Sequence, residues 1–169
     1  MKKIIFSLLL ISLLSSCGER KTKTIETEIG KTEYQIIIND NNEEVYDGYY
    51  KEYTKSGQVV SSGTYVMNKK EGEWNYFTTK GELTTVVTYK NDTLNGKYIQ
   101  FGENNRVELE MYYKNGSPDS LYTLSLEEGV IAMQGNYESG VKNGIWKYGC
   151  KDGKCLIEVL YKDGQIVLQ

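Results

Sequence analysis

A unit of 24 residues repeats five times in this 169-residue chain without insertion or deletion, and no other feature constrains the fold as strongly. The repeat is clearest in two aromatic columns. The first column contains Tyr65, Tyr89, Tyr113, Tyr137 and Tyr161, and the second contains Tyr50, Trp74, Tyr98, Tyr122 and Trp146. A fixed period of this length indicates that each unit is one supersecondary piece, which buries its apolar side mainly against its neighbours.

Each unit has the pattern of a β-hairpin. In the unit that begins at Gly72, an aromatic strand around Trp74 leads into a turn at Lys80-Gly81, and apolar residues then alternate from Leu83 to Tyr89. Alternation with a period of two, interrupted regularly by turns, is typical of an antiparallel meander. We therefore predict an all-β fold: an elongated antiparallel β-meander of consecutive hairpins in a single twisted sheet.

The same pattern divides the chain into segments. Residues 48–169 hold the five hairpin units, and residues 34–47 are expected to form an atypical strand that caps the array. Residues 17–33 are polar and are expected to form a flexible tether, because they lack the apolar content to fold alone. Residues 1–16 have the pattern of a signal peptide.

The signal segment ends at a cysteine. Lys2 and Lys3 precede an apolar run from Ile4 to Leu14, which is too short to span a bilayer, and Cys17 follows two serines. This arrangement resembles the bacterial lipoprotein signal, which implies that Cys17 is lipidated and anchors the protein in the cell envelope, with the outer membrane as the expected site. The alternative is an ordinary secretory signal followed by an incidental cysteine.

The composition excludes several classes of enzyme. The chain has no histidine, so Ser-His-Asp and Cys-His chemistry are excluded, and its three cysteines are too few for the common zinc sites. A catalytic carboxylate pair stays open, although most acidic residues fall at turns and strand ends. Lysine and glutamate are interspersed rather than clustered, which argues against nucleic acid as a partner. We expect no enzymatic activity and no cofactor.

Cys150 and Cys155 flank an Asp152-Gly153 pair, which is a strong signal for a two-residue type I′ turn. In such a hairpin Lys151 pairs with Lys154, and the two cysteines face each other at the next position, where side chains come closest. This geometry predicts a cross-strand disulfide in an exported protein. The alternative, half of a metal site, has no second half in the sequence.

The aromatic columns allow two interpretations. Tyr50, Trp74, Tyr98 and Trp146 either form the core of a thin sheet or provide a platform on which a ligand stacks, and cross-strand packing is the more common use of such a ladder. Lys51 and Lys147 occupy one phase of the unit, four units apart, and are candidate partner-binding residues on a shared face.

The unit also resembles a known repeat. Gly72-Glu73-Trp74-Asn75-Tyr76-Phe77 with Gly81, and Gly144-Ile145-Trp146 with Tyr161-Lys162-Asp163-Gly164, resemble the MORN repeat, in particular the bacterial variant often described as an antitoxin component. The resemblance covers residues 48–164. It implies an elongated twisted sheet of hairpins that associates with proteins or membranes, and it carries no catalytic residues.

These observations predict a lipid-anchored envelope protein that serves as a non-catalytic binding or scaffold module for a protein partner. A glycan-binding lipoprotein that uses exposed aromatic residues is the alternative, as is an antitoxin-like or immunity-like binding protein. An envelope hydrolase is a further reading. Exposure of the tryptophans would favour the glycan reading.

Overall fold

The computed structural model describes residues 19–126, 130–152 and 154–168. Within these ranges the chain forms thirteen antiparallel strands in one sheet, and their order in space is their order in sequence. The strands are β1 (Lys21–Glu26), β2 (Gly30–Ile38), β3 (Glu44–Thr54), β4 (Val59–Val66), β5 (Lys69–Phe77), β6 (Leu83–Lys90), β7 (Thr93–Phe101), β8 (Val107–Lys114), β9 (Ser117–Ser125), β10 (Ile131–Glu138), β11 (Val141–Cys150), β12 (Ile157–Lys162) and β13 (Gln165–Ile166). The predicted all-β meander of hairpins is confirmed.

The N-terminal region differs from the prediction. Residues 21–26, expected within the flexible tether, form strand β1, which pairs with β2 from Lys21↔Ile36 to Glu26↔Lys31. The polar composition was misleading here because an edge strand gains its backbone hydrogen bonds from a sheet that already exists, and it needs little apolar surface of its own. Strand β2 also begins before residue 34, so the cap of the array consists of β1 and β2 together.

Two-residue turns along one edge of the sheet set its twist. They recur every 24 residues at Met67-Asn68, Asn91-Asp92, Asn115-Gly116, Ser139-Gly140 and Asp163-Gly164, and both residues of each have positive φ. This is the type I′ turn, whose twist matches that of the flanking strands. We call this side of the sheet the short-turn edge.

Hydrogen bonds tie each short turn to the preceding unit. The second turn residue donates its backbone N–H to a carbonyl 22 residues earlier, as Asn68 does to Tyr46 at 2.8 Å and Gly164 does to Lys142 at 3.0 Å. The first turn residue donates to a side chain 20 residues earlier in four of the turns, where the acceptors are Asp47, Glu71, Asn95 and Asp119. This column of carboxylates and amides is therefore structural.

The loops at the opposite edge explain one irregularity of the repeat. Gly57 and Gly81 have φ of +85° and +87°, and Asn105, which replaces glycine in the middle unit, has φ of +56°. Asparagine tolerates this left-handed region better than other non-glycine residues, so the substitution keeps the loop. The equivalent Gly129 and Gly153 lie outside the described residues.

The hairpin of β11 and β12 closes with the pairing that its sequence predicts. Lys151 and Lys154 exchange backbone hydrogen bonds of 2.8 and 2.9 Å, and Asp152 has φ of +52°. Cys150 and Cys155 are joined by a disulfide. In the units whose loops are described, a register shift near the end of the first strand, such as that between Tyr76 and Phe77, precedes a three-residue loop. The disulfide hairpin has a two-residue turn instead.

The core is one layer thick. On one face of the sheet, cross-strand partners form a row that contains the most deeply buried rings: Tyr50 pairs with Gly63, Trp74 with Val87, and Trp146 with Val159. The buried apolar side chains are Tyr34, Ile36, Val45, Trp74, Val87, Met111, Trp146 and Cys150. With about 4.8 Å between strands, twelve steps give a sheet about 58 Å long.

Candidate functional site

The candidate site residues divide between the two faces of the sheet. Tyr50, Trp74, Tyr98 and Trp146 lie on the face that carries the core, which we call the aromatic face. Lys51 and Lys147 directly follow two of these residues, so their side chains point to the other side, which we call the polar face. The structure therefore does not bring the aromatic and basic candidates together.

Trp74 and Trp146 are core residues. Their exposed fractions are 1% and 0%. Each indole N–H is satisfied by a backbone carbonyl: Trp74 Nε1 donates to Thr64 O at 3.1 Å, and Trp146 Nε1 donates to Asn136 O at 3.0 Å. A buried, fully hydrogen-bonded indole is not available to stack on a ligand. Of the two interpretations of the aromatic columns, the structure supports the core for both tryptophans.

Tyrosines surround each tryptophan in the same arrangement. Around Trp74 the ring centroids of Tyr50 and Tyr65 lie at 5.6 and 5.0 Å. Around Trp146 those of Tyr122 and Tyr137 lie at 5.5 and 5.0 Å. The two clusters are 72 residues, or three units, apart. The array thus presents the same aromatic cluster twice on one face.

A lysine whose role was not predicted from the sequence completes each cluster. Lys70 Nζ lies 4.2 Å from the Trp74 ring centroid and donates a 2.9 Å hydrogen bond to Tyr76 Oη. Lys142 lies at the same 4.2 Å from the Trp146 centroid and donates to Tyr148 at 3.1 Å. Each cation is thus held over the electron-rich face of an indole. In the sequence, each tryptophan is preceded by a lysine four residues earlier and followed by a tyrosine two residues later. The units with tyrosine in place of tryptophan lack this pattern, which could have indicated the lysine's role.

Burial among the rings changes the acidity of the tyrosines. It raises the pKa of Tyr65 to about 12, with Tyr50 as the next contributor. Burial likewise raises the pKa of Tyr50 and Tyr122 above the ordinary value. These hydroxyls stay protonated at neutral pH, so the aromatic face offers neutral hydroxyl groups rather than phenolates.

Tyr98 differs from the tryptophan positions. It is half-buried, pairs with Val87 on one side and Met111 on the other, and makes an edge contact with Tyr113 at 6.1 Å between centroids. Tyr50 is also half-buried. Both rings take part in the cross-strand packing of the aromatic face.

On the polar face, cross-strand partners form one continuous row from β2 to β12. We call it the polar-face row, and its members are Glu33, Lys51, Ser62, Asn75, Val86, Ile99, Glu110, Thr123, Gln134, Lys147 and Glu158. Ten strand steps give the row a length of about 48 Å. Lys51 and Lys147 therefore belong to a single surface, as their shared phase predicts.

Four of the five charged residues of this row lie near its two ends, and the fifth, Glu110, lies in the middle and pairs with Lys97. Lys51 is exposed and pairs in register with Glu33, whereas Lys147 lies 3.7 Å from the carboxylate of Glu158. The Lys147–Glu158 ion pair is open to solvent and contributes little to stability. Glu33 forms its ion pair with Lys31 and not with Lys51. Apart from Glu110, the side chains between the two ends of the row are uncharged. This surface can meet a partner with paired charges at each end.

The predicted signal peptide of residues 1–16 and the predicted lipidation site Cys17 lie outside the described residues. In the described part of the chain, no group of three or more histidine, cysteine, aspartate or glutamate side chains could hold a metal ion. In the same ranges no helix is long and apolar enough to cross a membrane.

No protein-family model matches this chain, and no curated protein sequence is significantly similar to it. The resemblance to the MORN repeat therefore rests on the motif residues quoted above.

Proposed function

We propose that this protein is a lipid-anchored protein of the bacterial cell envelope that binds a protein partner through the polar face of its sheet, without catalysing a reaction. The observation that carries the proposal is the polar-face row, a continuous surface of eleven strands in register. The lipoprotein-like signal at Cys17 supplies the anchor, and the outer membrane is the proposed site.

A protein partner is favoured over a glycan by the state of the aromatic residues. Carbohydrate-binding surfaces place rings flat against solvent, where sugar rings can stack on them. Here Trp74 and Trp146 are buried and hydrogen-bonded. Their use as core leaves the opposite, polar face as the broad surface without a structural role of its own.

Absence of catalysis is proposed on chemical grounds. The chain has no histidine to act as a base near neutral pH. Asp47, Glu71 and Asp119 accept hydrogen bonds from backbone amides of the short turns, so these carboxylates hold the fold. Turnover that disappears with one carboxylate substitution would replace this proposal with an envelope hydrolase.

The proposal is tested with the double variant Lys51→Glu, Lys147→Glu in the anchored, full-length protein. We expect the partner recovered from cross-linked envelopes with the wild-type protein to be lost, because both ends of the polar-face row then carry like charges. The matched control is Lys55→Glu with Lys80→Glu, which changes net charge equally at exposed loop residues. Loss in both variants, or in neither, would contradict the proposed surface, and circular dichroism checks that each variant is folded.

A further inference from the structure

The first short turn differs from the four that follow it. It reads Val66-Met67-Asn68, whereas the same positions elsewhere hold Lys90-Asn91-Asp92, Lys114-Asn115-Gly116, Glu138-Ser139-Gly140 and Lys162-Asp163-Gly164. Val66 and Met67 are 45% and 50% exposed, so these apolar side chains are not used in the core. Only this turn replaces a charged residue and a polar residue with two apolar ones.

The apolar residue sits in an unfavourable backbone conformation. Met67 has φ of +48°, in the left-handed region that the other turns fill with asparagine, serine or aspartate. A long unbranched side chain gains nothing there from local hydrogen bonds, unlike asparagine. Strained positions of this kind cluster at functional sites. Exposure and conformation therefore both argue that Met67 serves a contact outside the fold.

A buried carboxylate links this turn to the N-terminal segment. Asp47, 6% exposed, accepts a hydrogen bond from the Met67 backbone N–H at 3.3 Å. The same carboxylate bonds the guanidinium of Arg20, with Nε at 2.8 Å and Nη2 at 2.7 Å. Arg20 is three residues from Cys17, so the two Cα atoms are at most about 11 Å apart.

Other exposed apolar residues lie at the same corner of the sheet. The backbone N–H of Asn68 donates a 2.8 Å hydrogen bond to the carbonyl of Tyr46. Tyr46 in turn pairs with Ile36 on β2. Ile38 follows two residues later on β2, and both Ile38 and Tyr46 are exposed. We call Ile38, Tyr46, Val66 and Met67 the apolar corner.

We propose that the apolar corner lies against the lipid surface in which Cys17 is anchored. This inference rests on the proposed lipidation of Cys17. With an acyl anchor held within about 11 Å of Arg20, the bilayer is present at a high effective concentration at this corner. Exposed apolar side chains held next to an acyl anchor insert at the boundary between headgroups and acyl chains. The array then stands on its N-terminal corner, with the later units directed away from the anchor.

The test is site-specific photo-cross-linking of the full-length protein in the membranes of the bacterium that expresses it. A benzophenone amino acid replaces Val66 in one protein and Glu138 in the other. Glu138 is exposed, precedes a short turn and lies three units away, so it is a matched control. The N-terminal peptide of each protein is analysed by mass spectrometry in the same sample, which reports lipidation of Cys17 separately.

We expect about tenfold more phospholipid adduct from position 66 than from position 138, because only the first corner is tethered to the bilayer. Equal adduct formation in a lipidated protein would overturn the inference and leave the anchor in place. Adducts from position 66 to a protein, including a second molecule of this chain, would overturn it in favour of protein docking. An unlipidated N-terminal peptide would overturn both the anchor and the inference.

Discussion

Gly63 leaves the space that the indole of Trp74 fills. A Cβ atom at residue 63 would lie 2.2 Å from Trp74 Cδ2, and a Cβ at Gly135 would lie 2.4 Å from the same atom of Trp146. Because a separation below 3 Å cannot be tolerated without a shift, a buried tryptophan requires a glycine eleven residues before it.

Two units that have tyrosine at the tryptophan position have a larger residue at the glycine position. Tyr98 and Tyr122 are preceded at the same distance in sequence by Val87 and Met111. The smaller ring leaves room for a side chain on the neighbouring strand. On the aromatic face, a large ring is therefore opposed by glycine and a smaller ring by a larger aliphatic side chain, so that the total side-chain volume of the pair is roughly kept. A well-packed interior tolerates such volume-conserving substitutions best.

This exchange predicts the behaviour of a double variant. Gly63→Val should overpack the first cluster and lower the free energy of unfolding by about 1–3 kcal/mol. Adding Trp74→Tyr, which is destabilising alone, should recover part of the loss because it recreates the Val87–Tyr98 combination. Urea unfolding of the four proteins of this cycle measures the coupling. Strictly additive losses would show that the two positions do not compensate.

The tyrosine clusters predict loss of stability in alkali. Burial raises the pKa of Tyr65 to about 12 and also raises those of Tyr50, Tyr89 and Tyr113. In the unfolded chain these groups ionise near pH 10. The folded protein therefore holds these protons longer, so the contribution of these tyrosines to stability is constant below about pH 10 and falls as the pH rises towards 12.

Ultraviolet absorbance of tyrosinate and circular dichroism, followed together over this range, check the prediction. Ionisation of Tyr50, Tyr65, Tyr89 and Tyr113 should coincide with unfolding. Ionisation of these four tyrosines near pH 10 in a protein that stays folded would show that their rings are solvated instead.

The disulfide predicts a local effect of reduction. With Cys17 replaced by serine, the oxidised protein should contain no free thiol, and reduction should release two. Breaking the bond should increase amide exchange in β11 and β12 and leave β1 to β9 protected, since the enclosed loop is short and each unit is coupled mainly to its neighbours. Global unfolding on reduction would contradict this nearest-neighbour picture.

Met67→Asn should stabilise the fold. Asparagine relieves the cost of the left-handed conformation, which is about 1 kcal/mol for an ordinary side chain. Thermal unfolding of the variant should therefore shift upward. Ser139→Asn, at the equivalent position of the fourth short turn, is the control and should change the melting temperature less. A lower melting temperature for Met67→Asn would mean that Met67 contributes packing to the fold.

Much of the fold was readable because the repeat carries its own turn chemistry. Asp163-Gly164 and the other short turns need two residues with positive φ, and the sequence supplies asparagine, aspartate or glycine at eight of these ten positions, with Met67 and Ser139 as the exceptions. The alternation between the turns then fixes which residues share a face. Cys150 and Cys155 could be paired on the same reasoning, because the Asp152-Gly153 turn determines which residues oppose each other.

Other features depend on contacts that local sequence does not specify. Strand β1 exists because β2 offers it an edge, and its own composition predicted a tether. Lys70 reads as an ordinary surface lysine until the fold places it over Trp74. The acceptors that hold the short turns, such as Glu71, lie 20 residues away from them. An acid or amide recurs at the same position of successive units, and this regularity could have indicated that these side chains hold the short turns.

The proposed role of the polar face is to bind a protein partner. It is tested most directly by photo-cross-linking in intact cells, with the probe at Ser62 or Gln134 on the polar-face row, or at Thr85 or Gln100 on the aromatic face. We expect the same protein to be captured from both polar-face positions and from neither aromatic-face position. Capture from Thr85 and Gln100 alone, or of no protein from any of the four positions, would contradict it.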